Sequence, residues 1–86
     1  MNPEALRINL LQQLRAVDGA TLPLGTLATG ARLGGLEYAT TDTVRAALVY
    51  LADKGLVVSH APLVAPENKR WRITAGGTDF LAEAGL

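Results

Sequence analysis

Lys69, Arg70 and Arg72 crowd into four consecutive positions around Trp71. Cations this close together can neutralise phosphate groups, the chemistry that supplies most of the affinity for a nucleic-acid backbone. If residues 69–73 are extended, successive side chains alternate in direction, so Arg70 and Arg72 share one face while Trp71 and Ile73 share the other. That alternation makes Trp71 a core residue beneath a displayed pair of guanidiniums. A second group with anion-seeking chemistry lies at Thr40, Thr41, Thr43 and Arg45. Hydroxyls and a cation at a helix start sit where free backbone amides also favour negative charge. Each group has a plainer role. Charge on a strand edge discourages strand-to-strand sticking, Arg45 has Asp42 and Asp53 in reach, and Thr40 is a natural helix cap.

Other chemistries find little support. The 86 residues contain no cysteine, so disulfides, thiolate metal sites and thiol nucleophiles are excluded together. His60 is the single histidine, with no second imidazole to share a metal, and reads as an exposed hairpin residue. There is no phosphate-binding glycine loop, no HExxH and no Gly-x-Ser-x-Gly turn. Glu37 and His60 are the only acid–base combination worth naming, and nothing in their spacing favours them. The expectation is a non-enzyme with no metal, cofactor or small-molecule ligand.

Net charge is zero, with 8 basic and 8 acidic residues, but the charges are segregated. Residues 59–74 hold Lys69, Arg70 and Arg72 against Glu67, whereas residues 75–86 hold only Asp79 and Glu83. Apolar residues make up 49%, enough for one core, and the length allows one domain over 1–86. No apolar run approaches the roughly 20 residues needed to span a bilayer. The N-terminal MNPEALRINLLQQLRAV lacks the basic-then-apolar order of a signal peptide. A cytoplasmic location with no membrane contact is expected.

The elements that must position these residues follow from period and punctuation. Asn2-Pro3-Glu4 predicts a helix start, and Leu6, Leu10, Leu11, Leu14 and Val17 form its apolar stripe, leaving Arg7, Gln12, Gln13 and Arg15 for much of the other side. Asp18-Gly19 ends this helix, and Thr21–Leu24 reads as an edge or a turn because Pro23 cannot serve a central strand. A second helix is predicted over 25–33, with Leu24, Leu27 and Leu33 on its apolar face; Gly25 and Gly30 weaken it by about 1 kcal/mol each. Gly34-Gly35 breaks it. A third helix begins at Thr40 or Thr41, carries Val44, Ala47, Leu48 and Leu51 on its buried side, and ends at Gly55. Two short strands, 56–60 and 69–73, flank a Pro-rich loop over 61–68. Thr74 caps a last helix over 75–84 that turns Phe80 and Leu81 inward.

The order helix, short extended piece, helix, helix, hairpin, helix resembles the winged helix-turn-helix fold, an α+β and mostly α class. The specific residues are TVRAALVYLADKGLV at 43–57 and RWRITAGGTDFLAE at 70–83. The first is similar to the third helix of bacterial winged-helix domains, the second to their last strand and closing helix. Small proteins of this pattern occur in bacteria and prophages. The resemblance implies a prokaryotic or phage transcription regulator that binds double-stranded DNA, with the third helix in the major groove and the hairpin, or wing, on the backbone. Carried over residue by residue, it assigns DNA contact to Thr41, Thr43 and Arg45 on the helix, with Thr40 beside them, and to Lys69, Arg70 and Arg72 on the wing.

One departure keeps a second function open. Beyond its buried side the third helix offers Ala46, Val49, Tyr50 and Ala52, whereas base edges are read by Arg, Lys, Asn or Gln. Ala46, Val49 and Tyr50 are instead a candidate interface of a protein-interaction or assembly module that leaves DNA alone, pairing with itself or with another protein. Tyr50 packed on the first helix is the plainer alternative. For the DNA reading, few cations per chain call for a homodimer on two half-sites. Five candidates (Arg32, Arg45, Lys69, Arg70, Arg72) then bound the salt dependence at a slope of about −0.9 per phosphate neutralised.

Overall fold

The first helix of the computed structural model, α1 (Pro3–Ala16), starts as its residues dictate: the Asn2 side chain accepts hydrogen bonds from the amides of Glu4 and Ala5, and Pro3 occupies the first helical position. The structure describes residues 2–64 and 68–86. After α1 come β1 (Leu22–Pro23), α2 (Leu24–Leu33), α3 (Thr41–Asp53), β2 (Val57–His60), β3 (Arg70–Ile73) and α4 (Ala75–Glu83). The class is α+β and mostly helical. Of the Pro-rich loop over 61–68, residues 65–67, Glu67 included, lie outside the described residues.

The three strands form one antiparallel sheet in the order β1-β3-β2. Pro23 sits on the edge strand opposite Arg70, where its missing N–H costs no central ladder bond. In the β2–β3 hairpin, Val57 faces Ile73 and Ser59 faces Trp71. Trp71 and Ile73 are buried on the core side, while Arg70 is exposed and Arg72 half-buried on the other.

One core joins all the layers. Leu10, Leu11 and Leu14 of α1, Leu27 of α2, Val44 and Leu48 of α3 and Leu81 of α4 are completely enclosed. The buried side of α3 is the Val44/Ala47/Leu48/Leu51 stripe read from its period. Thr40 is its cap: the Thr40 hydroxyl accepts from the Thr43 amide, and Thr43 Oγ1 accepts from the Thr40 amide in return. The far end closes at Gly55, whose φ of +76° lets the Gly55 and Leu56 amides reach the Ala52 and Leu51 carbonyls at 2.9 Å.

Four side chains differ from the sequence expectation. Leu33 is 85% exposed, because α2 buries the line Leu27, Ala28, Ala31. Phe80 is 41% exposed, because α4 docks through Gly77 and Leu81. A side chain at Gly77 would collide with the Leu56 carbonyl and with Ile73 Cγ1, so this glycine sets how closely α4 lies on the sheet. Val17 is only half-buried and forms the C-terminal cap of α1 rather than part of its buried stripe. Gln13, placed on the polar side by its type, is half-buried and ties α1 to α2: its Nε2 donates to the Leu27 carbonyl at 3.0 Å and to Asn9 Oδ1 at 2.7 Å. The bare Cα of Gly30 leaves room for that amide.

Candidate nucleic-acid interface

Arg45, Lys69 and Arg70 meet around one cleft. It lies between the start of α2, the solvent side of α3 and the loop end of the β2–β3 hairpin, and consists of two adjoining hollows that share Leu24, Arg45 and Lys69. The hollow reaching Arg70 and Pro62 measures about 460 Å³. The other, floored by Val49 and Trp71, measures about 320 Å³. Arg45 and Lys69 border both hollows and Arg70 only the larger one, so two cations stand beside the apolar floor and a third at the far end, an arrangement that suits a ligand anionic along one edge and carbon-rich behind it.

Each cation is held differently. Arg70 Nε donates to Thr21 Oγ1 at 2.8 Å and its Nη2 to the Thr21 carbonyl at 3.0 Å, so the segment leading into β1 fixes this guanidinium. Arg45 Nη1 donates to Asp42 Oδ1 at 3.1 Å, one turn back along α3. Lys69 is exposed just before β3. At the cleft edge, α2 begins after Pro23 with no side chain capping its first amides, which leaves them available to an anion.

The remaining sequence candidates lie elsewhere or have other duties. Arg72 is on the outer sheet face, its Nε making a long 3.4 Å contact with His60 Nε2. Thr41 opens α3 and is exposed. Thr43 completes the cap and donates to the Tyr38 carbonyl at 3.1 Å, on the side of α3 that meets α1. Arg32 Nη1 donates to the Ala39 carbonyl at 2.6 Å, bracing the connection into α3. Ala46, Val49 and Tyr50 do not form one patch: Val49 floors the cleft, Ala46 meets Pro3 and Leu6 across a shallow hollow, and Tyr50 turns to α1.

Tyr50 turns to the first helix, the plainer of its two sequence readings, and there meets a side chain that the sequence did not point to. The Arg7 guanidinium lies over its ring, 3.6 Å from the centroid, and Lys54 Nζ lies 5.6 Å from the same centroid. The i, i+4 spacing of Tyr50 and Lys54 was visible in the chain; the approach of Arg7 depends on how α1 crosses α3. Among the described residues no three His, Asp or Glu side chains gather as a metal site, and no helix is long and apolar enough to cross a membrane.

In comparison with known proteins, no family model, no curated protein and no solved structure matches this chain.

Proposed function

We propose that this chain is a winged helix-turn-helix domain that binds duplex DNA and regulates transcription in a bacterial or phage setting. The observation that carries this reading is the convergence of Arg45, Lys69 and Arg70, from α3 and the hairpin, on a single cleft. Helix α3, with 13 residues, is about 20 Å long, the scale of a major-groove contact. With its solvent side toward DNA, Lys69 and Arg70 reach phosphates beside the groove, and the open amides of α2 face the neighbouring backbone. Affinity comes from phosphate contacts. Base discrimination is weak, because apart from Arg45 the solvent side of α3 carries Asp42, Ala46, Val49 and Asp53, none of which offers a donor to a base edge.

That same line of residues favours a second reading, an assembly module of this fold that contacts protein alone. Titration of a random-sequence duplex with the full chain separates the two. Under the DNA reading, binding at low salt weakens by about tenfold or more when Lys69→Ala and Arg70→Ala are combined. Equal affinity of the double variant and the parent contradicts it.

A further inference from the structure

A groove of about 540 Å³ runs between α1, α3 and α4 and shares no lining residue with the cation cleft. Its accessible walls are Ile8, Leu56, Tyr50 and Phe80, the two rings being 39% and 41% exposed. Two cations gather at the Tyr50 ring: the Arg7 guanidinium, 3.6 Å from the centroid, and Lys54 Nζ, 5.6 Å from it. Neither is ion-paired among the described residues. Arg7 Nε is buried with no hydrogen-bond partner, an arrangement that folded chains seldom leave unmet. In the cation cleft, by contrast, Arg45 is paired with Asp42 and Arg70 donates to Thr21.

We propose that this groove binds a small organic acid, with its carboxylate against Arg7 and Lys54 and its apolar body along Ile8, Leu56 and Phe80. Charge sets the sign of the ligand. Glu4 is the one acidic residue lining the groove, so two cations outweigh it and an anion is favoured. Guanidinium and ammonium groups hold a carboxylate by short, charge-assisted hydrogen bonds, and the planar fork of an arginine matches its two oxygens. Size separates a small molecule from a protein. The walls follow about 10 Å of α1, from Glu4 to Leu11, and about 6 Å of α3, from Tyr50 to Lys54. A protein partner of ordinary kind covers about 800 Å² on each side, whereas small-ligand sites measure about 300–1,000 Å³. No such ligand is expected from the sequence, because the groove exists only where α1, α3 and α4 meet. The proposal does not depend on what the cleft binds, since binding is measured with no DNA present.

The test is an NMR titration of the full chain with naphthylacetate and with decanoate, an aromatic and an aliphatic acid, and with naphthylacetamide, the neutral twin of the first. At least one acid is expected to bind saturably and to shift the amide signals of Ile8, Lys54, Leu56 and Phe80. The neutral twin binds more weakly than naphthylacetate by about tenfold or more. Arg7→Met weakens acid binding about tenfold, and Lys54→Gln about threefold. Glu4→Gln, which removes the opposing charge, tightens it about twofold. Lys54 and Glu4 are exposed, so their variants carry the test if Arg7→Met fails to fold. No saturable shift with either acid, equal affinity for the neutral twin, shifts centred on Leu24, Arg45 and Trp71, or an affinity indifferent to Lys54→Gln and Glu4→Gln would each overturn the proposal.

Discussion

Arg45 and Asp42 form the one ion pair among the described residues, at 3.1 Å, and it sets a carboxylate beside the only cation within α3. Both side chains are well exposed, 57% and 89%, so the pair adds little to stability, about 0.2–1 kcal/mol. Its consequence falls on the cleft. Asp42→Asn frees Arg45 and removes a negative charge from the solvent side of α3, the side that the proposed DNA reading turns toward the duplex. Duplex affinity at low salt is expected to rise about twofold to fivefold, with a stability change below about 1 kcal/mol. Fluorescence anisotropy and urea unfolding measure the two effects, and an unchanged affinity would mean that this side of α3 faces away from the duplex.

Gly77 leaves no room for a side chain between α4 and the sheet. Gly77→Ala places a methyl group against the Leu56 carbonyl and against Ile73, 2.6 Å from its Cγ1. The gain in helix propensity, about 1 kcal/mol, is outweighed by overpacking of about 1–3 kcal/mol together with the backbone collision. Urea unfolding should show a net loss of stability; a more stable variant would mean that α4 can move off the sheet at little cost.

The ends of the helices were legible because their signals are local: Asn2-Pro3, Thr40, Thr74 and Gly55 each act within one turn of their own position. The stripes of α1 and α3 were legible for the most part because leucine and valine recur there at helical spacing, although Val17 ends as the cap of α1. The reading failed where small residues make the contact. In α2 the buried line is completed by Ala28 and Ala31, so weighting Leu33 by its size pointed to the wrong side. In α4 a missing side chain at Gly77 draws the helix in and leaves Phe80 at a groove edge. The three basic residues at 69–72 stood out in the chain, but that Arg45 joins Lys69 and Arg70 while Arg72 turns to His60 depends on how α3 crosses the sheet.

Thr43 separates a structural hydroxyl from a DNA contact. Its Oγ1 accepts from the Thr40 amide at 2.8 Å, so Thr43→Val, which keeps the shape, is expected to cost about 1 kcal/mol. Duplex affinity should stay the same. A loss of about fivefold or more, with the salt slope unchanged because no charge is altered, would instead assign the Thr43 hydroxyl to a phosphate.

Trp71, the single tryptophan, is 5% exposed and spans the core and the cleft floor. Its emission should be blue-shifted in the native chain and move to the red in one cooperative step with urea. Trp71→Ala is expected to cost about 3–5 kcal/mol. A red-shifted native emission would place the indole in water and remove the hairpin from the core.

The most direct measurement of the cleft's role is the affinity of the full chain for a random-sequence duplex as a function of salt. Three converging cations predict a log–log slope of about −2.7 per chain, falling to about −0.9 when Lys69→Ala and Arg70→Ala are combined. No binding at low salt, or a slope indifferent to those two substitutions, would contradict DNA binding through this cleft.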